Sequence, residues 1–346
     1  MATLKANTIS GIGTEGPVLN GGLHFRSQNY MTLPKGDIVQ RGRGRGIWGG
    51  GWNSPSTTST NNIDYIQIQS GGQAKDFGDL TEGGNQMRAN SSSTRGVFIG
   101  GRRPHPGVVN VMDYVELATL GNALDFGDLL TGRGAVGEIS SQTRGISAAG
   151  YTPSNNNTIE YITIATLGDS QDFGDTEASG AGSTMAGTQS STRGILAGNY
   201  APTSPNTSNI IQYLTIATLG NTQNFGDLTE SGRHSASGTS NGVRAVFAGG
   251  THLSPGSNAT MDYVTIASTG DAVDFGDLAN VAPGQLGATS DNIRGVFGGG
   301  SNHPLYYNVI QQVTIATTGD SINIGDLTLQ RLQPGCCSDS HRGLTE

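Results

Sequence analysis

Six aspartates recur at positions where they could surround a channel and offer oxygen ligands to a cation. Each ends the tripeptide Phe-Gly-Asp or Ile-Gly-Asp, and they are Asp79, Asp128, Asp175, Asp227, Asp277 and Asp326. Carboxylate oxygens are the ligands that hard cations prefer. The alternative is that each aspartate caps a turn or pairs with a repeated arginine. Because the sequence has no EF-hand or nonapeptide calcium loop, we favour this second interpretation and predict no metal site.

Histidine and serine could supply acid–base or nucleophilic chemistry. The six histidines are His24, His105, His234, His252, His303 and His341. No two have the helical spacing of a metal site, and no Gly-x-Ser-x-Gly elbow lies between a predicted strand and a helix. We therefore predict no catalytic residue, no cofactor and no enzymatic activity, and we interpret the histidines as exposed loop residues.

The basic residues argue against a nucleic-acid partner. A short tract, residues 41–46, reads Arg-Gly-Arg-Gly-Arg-Gly and resembles an RNA-binding segment. The whole chain has a net charge of -8, whereas phosphate binding depends on clustered Lys and Arg. We interpret the tract as a linker stiffened by the following strand, or as a contact to an acidic neighbouring subunit.

Targeting and redox signals are weak. The first residues lack the apolar run of a secretory signal, and no window approaches the ~18 apolar residues of a membrane span. Synthesis in a cytoplasm is therefore expected, with no membrane span. The only cysteines, Cys336 and Cys337, are neighbours and cannot connect distant strands. We interpret them as small residues that fill a strand, with a redox or metal site as the alternative.

The elements that carry these residues repeat along the chain. The pattern Arg-Gly-apolar-apolar-small-Gly recurs every 48 to 51 residues, in phase with the Phe-Gly-Asp tripeptides, at Arg45, Arg95, Arg144, Arg193, Arg244, Arg294 and Arg342. The tripeptides define six units. Glycine is the commonest residue at 55, and charged residues make up 13%. This composition indicates a turn-rich all-β protein.

Each unit contains four predicted strands. In the unit that ends at Asp277 they are residues 235–240, 243–248, 261–267 and 273–277, with Asn241-Gly242 as a tight hairpin turn between the first two. Four antiparallel strands per ~50 residues, with no helix between them, are typical of a propeller blade.

The units resemble degenerate kelch repeats. An Arg leads into an apolar strand, a Gly-Gly doublet such as Gly249-Gly250 follows, and then a strand with a tyrosine such as Tyr263. The kelch family usually has Trp in its last strand, where this chain has Phe. The resemblance implies an all-β, six-bladed kelch-like β-propeller. Since residues 336–341 align with the first strand of the other units, we expect this C-terminal strand to close the first blade.

The segment before the repeats is predicted to form a separate region. Residues 1–44 form an extended N-terminal arm, with a possible strand at 23–31, and residues 45–346 form the propeller. The string NTISGIGTEGPVLNGGLHFRSQNYMTLPKG and the recurrent TIATLG and DFGDL strings resemble virion and tail-fibre proteins of tailed marine cyanophages. This resemblance implies a virion protein whose arm binds other virion proteins and which is multimeric in the particle.

The long connections of the units are the predicted binding site. In antiparallel blades the second-to-third and fourth-to-first connections lie at the same end of the strands, and these are the long ones here. They carry aromatic and histidine side chains suited to stacking on sugars: Trp52, His105, Tyr151, Tyr200, His252, His303, Tyr306 and Tyr307. Solvated loops without a ligand are the alternative.

Three functions are compatible with the predicted fold and binding site. The first is a phage virion structural protein, in a tail fibre, the neck or tail, or on the capsid, that displays a propeller for assembly contacts or host attachment. The second is a soluble propeller that binds a cell-surface glycan without a role in viral assembly. The third is an enzyme on a propeller scaffold, for which the sequence offers no catalytic group. Fold alone does not decide among them.

Overall fold

Strands and turns account for all the secondary structure that can be described. The computed structural model describes residues 32–33, 36–37, 44–53, 58–103, 107–152, 156–177, 182–200, 207–230, 232–252, 258–279, 284–302 and 304–340, and these contain no helix. The chain divides into two compact units, Met1–Val39 and Gln40–Glu346. In the first unit, Thr32–Leu33 pairs antiparallel with Gly36–Asp37. The strand predicted at 23–31 lies outside the described residues.

The second unit contains six four-stranded antiparallel sheets, numbered here 1 to 6. Their strands, in pairing order, are as follows. Sheet 1 consists of Gly335–Ser338, Arg45–Gly49, Asn62–Gln67 and Lys75–Asp79. Sheet 2 consists of Arg88–Ser91, Arg95–Ile99, Val111–Glu116 and Leu124–Asp128. Sheet 3 consists of Gly137–Ser140, Arg144–Ala148, Thr158–Thr163 and Gln171–Asp175.

The other three sheets have the same order. Sheet 4 consists of Ala186–Gln189, Arg193–Tyr200, Thr207–Thr215 and Gln223–Asp227. Sheet 5 consists of Ser237–Ser240, Arg244–Ala248, Thr260–Thr265 and Val273–Asp277. Sheet 6 consists of Gly287–Ser290, Arg294–Gly298, Val309–Thr314 and Ile322–Asp326. Short strands between them are Trp52–Asn53, Thr58–Ser59, Arg233–His234, Thr251–His252, Ser301–Asn302, Leu305–Tyr306 and Arg331–Leu332.

The strand bounds of sheet 5 agree with the sequence prediction to within two residues. The largest differences are two residues, at the start of the first strand, which begins at Ser237 rather than Ser235, and at the end of the third, which ends at Thr265 rather than Ala267. Ser235 has a φ of 58° and so cannot continue an extended strand. The first strand is buried along its whole length, whereas Phe275 alone is buried in the fourth. Burial on both faces explains why the first strands consist mostly of small residues.

The first sheet combines both ends of the repeat region. Gly335–Ser338 pairs with Arg45–Gly49, with Trp48 opposite Cys336, as the phase of the repeats predicts. Both cysteines are buried in this strand and neither forms a disulfide. A Cβ added at Gly287 of sheet 6 would lie 2.1 Å from the Cys336 Sγ. The interpretation of the cysteines as small strand residues is therefore confirmed, because the neighbouring strand leaves no room for a larger side chain.

The Phe-Gly-Asp tripeptide forms a β-bulge on the fourth strand. In sheet 2, Met112 pairs with Gly127 and Asp113 pairs with Asp125, so Phe126 has no partner on the third strand. The same shift occurs in all six sheets. A bulge redirects the backbone groups of the extra residue away from the sheet. The carbonyl of Phe126 is thereby free to accept a hydrogen bond from another sheet.

The bulge joins each sheet to the next. The Gly168 amide of sheet 3 donates to the Phe126 carbonyl at 2.9 Å, and the Ser170 amide donates to the Asp128 carbonyl at 2.9 Å. We call this pair of hydrogen bonds the clasp. Equivalent pairs join all consecutive sheets, and in sheet 1 the Gly72 and Ala74 amides donate to the Ile324 and Asp326 carbonyls of sheet 6, both at 2.8 Å.

Glycine is required at the centre of the clasp. Gly127 has a φ of 140°, which L side chains rarely adopt, and a Cβ there would lie 2.5 Å from the Gly168 carbonyl oxygen. The repeated aspartate that follows contributes its backbone. The Asp128 amide donates to the Asp169 carboxylate at 3.0 Å, and its carbonyl accepts the clasp bond. The six aspartates are therefore part of the architecture through their backbone groups, which is neither the turn cap nor the arginine pair that the sequence interpretation offered.

The phenylalanine of the tripeptide lies in the core between two sheets. Phe126 is 2% exposed and packs with Met112 and Leu129 of its own repeat and with Ile162 and Ile164 of sheet 3. Its ring also meets Tyr114 edge to face, with centroids 6.1 Å apart. Phe126 is therefore buried at the junction between neighbouring sheets.

Removing this ring should weaken the junction between sheets 2 and 3. We expect Phe126→Ala to lower the free energy of unfolding by about 3 to 5 kcal/mol, because it leaves a cavity in a well-packed core. Leu124→Ala on the same strand is the control, since Leu124 is 60% exposed and a surface change of this kind costs at most about 0.5 kcal/mol. Urea denaturation of both variants measures the difference. Equal costs would contradict the assignment of Phe126 as a junction residue.

Candidate functional site

The long connections meet in pairs at one end of the strands. Each second-to-third connection forms an antiparallel bridge with the connection that enters its sheet from the preceding one. The bridged pairs are Asn85–Arg102, Gly134–Tyr151, Ser183–Tyr200, His234–Thr251, Gly284–Ser301 and Leu332–Trp52. We call this end of the sheets the long-connection face. Its loops are thus fixed at their bases by backbone hydrogen bonds.

The aromatic residues predicted for this face differ in exposure. Tyr151 and Tyr200 are 39% and 43% exposed, whereas Trp52, Tyr306 and Tyr307 are half-buried. His105 and His303 lie outside the described residues. His252 lies in the short strand Thr251–His252, and its side chain is outside what the structure describes.

Each exposed tyrosine has a polar neighbour at its ring. The Arg102 guanidinium carbon lies 4.7 Å from the centroid of Tyr151 and thus joins the connections of sheets 2 and 3. The Tyr200 ring meets the His234 ring edge to face at 5.3 Å. An aromatic face beside a nitrogen donor can stack on a sugar ring and hydrogen-bond its hydroxyls. The structure thus gives Tyr151 and Tyr200 the neighbours Arg102 and His234, which were not among the residues predicted for this face.

Buried ion pairs hold the connections of the long-connection face against the sheets. A carboxylate on the third strand pairs with an arginine from a connection, and all these side chains are at most 1% exposed. Arg331 meets Asp64 at 2.9 Å and Arg233 meets Asp262 at 2.9 Å. The other pairs are Arg103–Asp113 and Arg133–Glu160. Because a buried charge without a partner is costly, each pair fixes its connection to the sheet below it.

The protonation equilibria of these groups reflect their burial. Burial lowers the pKa of the Arg133, Arg233 and Arg331 guanidiniums, and the carboxylates beside them oppose that shift. Burial also raises the pKa of the Asp262 carboxyl, against the opposing effect of the Arg233 charge. Desolvation is therefore the larger influence even where a partner is present.

Charge is matched at this position in sheets 1 to 5. Sheets 4 and 6 have the neutral Gln212 and Gln311 in place of the carboxylate. In the connection that enters sheet 4, Gly182 occupies the place that Arg133 has before sheet 3. In the connection that enters sheet 2, Gly84 occupies the place of Arg133. A Cβ at Gly84 would lie 2.5 Å from the Arg103 Cγ, because Arg103, from the second-to-third connection of sheet 2, fills the space that an arginine at position 84 would take.

A series of residues with left-handed backbone is the feature of this face that the sequence did not predict. Six non-glycine residues at equivalent positions have a φ of 54° to 65°, namely Gln86, Ala135, Thr184, Ser235, Gln285 and Gln333. Each from Ala135 to Gln333 donates its amide to the carbonyl of the preceding member, at 2.7 to 3.1 Å. Left-handed backbone at non-glycine residues is uncommon and concentrates at functional sites. Their residue types are too varied for a sequence pattern to reveal them.

Metal-binding side chains do not converge in the part of the chain that is described. No three His, Cys, Asp or Glu side chains there are placed to hold a metal ion. Nor is there, in those same ranges, a helix that could span a membrane.

Comparison with known proteins leaves the chain without an assigned family. No protein-family model matches it, and no curated protein shows significant sequence similarity to it.

Placing a charge at the neutral position of sheet 4 should destabilise the protein in a pH-dependent way. Gln212 is 3% exposed and accepts a hydrogen bond from Thr222, so Gln212→Glu buries a carboxyl group without an arginine. We expect its folded-state pKa to be raised, as for Asp262. The loss of stability should then be near zero below pH ~4.3, where both states are protonated, and about 3 kcal/mol at pH 7.

Gln223→Glu is the control for this variant, because Gln223 is exposed on the adjacent strand. Thermal melts of both variants at pH 4 and pH 7 separate burial from added charge. A Gln212→Glu protein as stable as the parent at pH 7 would contradict the charge matching described above.

Proposed function

We propose that residues 45–346 form a closed six-bladed β-propeller of kelch-like type. The observation that carries this proposal is the clasp, which joins every sheet to its successor and also joins sheet 1 to sheet 6. Two further contacts support the same closure. The Ser338 hydroxyl of sheet 1 donates to the Ser290 carbonyl of sheet 6 at 2.8 Å, and Arg331, which follows sheet 6, pairs with Asp64 of sheet 1.

The propeller serves as a rigid display module of a phage particle. The support for this proposal is the resemblance of its repeats and N-terminal segment to cyanophage virion and tail-fibre proteins. The arm, residues 1–44, binds other virion proteins. The protein is made in the host cytoplasm, assembles as a multimer in the virion and acts in assembly contacts or host attachment.

The long-connection face is the surface that meets a ligand in this proposal. Its connections differ in sequence between sheets while their bases are fixed by repeated backbone bridges. That combination allows loop variation without loss of the fold. A host cell-surface glycan is the partner that the exposed Tyr151 and Tyr200 favour. The same two residues also support the alternative function, a soluble glycan-binding propeller outside any virion.

Particle composition distinguishes the two functions. We expect the full chain to be found in purified phage particles by mass spectrometry and immunogold labelling. A protein that lacks residues 1–44 should keep the β-sheet signal of the full chain in far-UV circular dichroism. It should nevertheless be missing from particles. A truncated protein present at normal occupancy would contradict anchoring by the arm. A full chain found in the lysate but not in particles would favour the soluble alternative.

The long-connection face has its own test. We expect Tyr151→Ser combined with Tyr200→Ser to reduce binding of the purified protein to host cells by about tenfold, the effect of losing one to two kcal/mol of stacking. The melting temperature should change little because both rings are more than one-third exposed. Tyr114→Phe, on the third strand of sheet 2, is the control. Unchanged cell binding by the double variant would exclude these tyrosines from the interface.

A further inference from the structure

A polar groove lies at the opposite end of the strands, where the tight turns are. It has a volume of about 370 Å³ and lies between sheets 3 and 4. Its walls are the first hairpin turn of sheet 3 from Ser141 to Arg144, the turn residue Ser191 of sheet 4, and Ile216 and Ala217 at the end of the third strand of sheet 4. Hydroxyl, amide and guanidinium groups thus surround a space large enough for a sugar residue.

Arg144 brings a positive charge to this groove without an acidic partner. Its guanidinium carbon lies 4.4 Å from the centroid of Tyr161, and its Nη1 donates to the Ile216 carbonyl at 2.7 Å. No carboxylate oxygen of the described residues lies within 4 Å of it. The equivalent Arg95 of sheet 2 is paired with Glu116 at 3.0 Å, whereas sheet 3 has Thr163 at that position. The Arg144 charge is therefore available to a ligand.

Two smaller cavities adjoin the groove. One, of about 230 Å³, is lined by Tyr161 and Gln171 of sheet 3, and the other, of about 220 Å³, by Tyr213 and Gln223 of sheet 4. In each, the tyrosine hydroxyl donates to the glutamine side chain, at 2.6 Å and 2.5 Å. These two sheets are the ones whose described residues combine tyrosine and glutamine at these positions. A similar cavity of sheet 6 is lined by Gln312 and Ile322 instead.

Neighbouring residues link the three spaces. Arg144 lines the central groove and stacks on Tyr161, which lines the first cavity. Ile216 and Ala217 of the groove continue directly into Thr218, which lines the second cavity. The result is a run of hydroxyl, amide and aromatic groups across two sheets, with Arg144 near its middle and Arg193 stacked on Tyr213 at 4.5 Å.

From this arrangement we infer that the groove between sheets 3 and 4 binds an acidic polysaccharide through the carboxylate of a uronic-acid residue. The carboxylate accepts hydrogen bonds from the Arg144 guanidinium, and the flanking tyrosine–glutamine cavities receive the neighbouring sugar residues. A nucleic acid fits less well, because one arginine in a chain with a net charge of -8 cannot neutralise consecutive phosphates. This site is distinct from the long-connection face.

Calorimetric titration of the full chain with a short oligomer of galacturonic acid tests the inference. The methyl ester of the same oligomer is the ligand control, since it removes the charge and keeps the sugar. We expect the acid to bind at least about tenfold more tightly than the ester, as for a charge-assisted hydrogen bond. Equal affinity for the acid and the ester would overturn the proposal, as would tighter binding of single-stranded DNA of equal charge.

Two protein variants locate the site. Arg144→Gln should lose about tenfold in affinity for the acid, whereas Arg244→Gln should bind like the parent. Arg244 is the matched control because it stacks on Tyr263 at 4.2 Å and donates to the Ile315 carbonyl at 3.2 Å. It therefore carries the same structural cost. Equal losses in the two variants would assign Arg144 a structural role alone and overturn the proposal.

A second pair of variants keeps the test independent of the arginine. Ser191 is exposed at the wall of the groove, and Asn292 holds the corresponding turn position in sheet 6. Ser191→Glu should repel the carboxylate and weaken binding, whereas Asn292→Glu should not. Unchanged affinity of the Ser191→Glu protein would place the ligand elsewhere.

Discussion

The clasp between successive sheets is the interaction on which the rest of the second unit depends. It consists of two backbone hydrogen bonds from the turn of one sheet to the bulged strand of the sheet before it. Backbone donors and acceptors impose no choice of side chain, so the turn residues Gly121, Gly168 and Gly220 can be followed by Asn or Asp without loss of the bonds. What the clasp does impose is a glycine in the bulge. That requirement explains why the glycine of the tripeptide recurs in all six units while the aromatic residue before it is replaced once, by Ile324.

Much of the fold was predictable because the chain repeats. The phase of the arginines and tripeptides gave four strands per unit, and it placed the C-terminal strand beside Arg45–Gly49. The physical meaning of the tripeptide was not predictable, because a bulge depends on the pairing of two strands and the clasp depends on a third. The buried ion pairs were missed for a similar reason. Arg331 and Asp64 are 267 residues apart in sequence, and nothing local marks either as buried.

The candidate sites were less predictable than the fold. Residue types suited to sugar binding predicted a site at the long connections, and Tyr151 and Tyr200 are exposed there. The groove at the tight-turn end was not predicted from the sequence, because its residues belong to the repeated pattern. Arg144 is one of seven arginines in the same motif. A threonine stands opposite Arg144 where Arg95 faces a glutamate, but Arg193, Arg244 and Arg294 also face threonines. What distinguishes Arg144 is the groove beside it, which becomes evident only when the spatial contacts are known.

The composite first sheet has a consequence for synthesis. The Arg45 amide donates to the Asp339 carboxylate across 294 residues of sequence. At ordinary translation rates of 5 to 20 residues per second, roughly 15 to 60 s pass between the emergence of these two residues from the ribosome. During that interval the strand Arg45–Gly49 has one unsatisfied edge, which is the kind of surface that pairs with other chains. The nascent protein therefore spends most of its synthesis as a substrate for chaperones. On a polysome, where several copies are made side by side, the open edge would favour strand exchange between neighbouring copies.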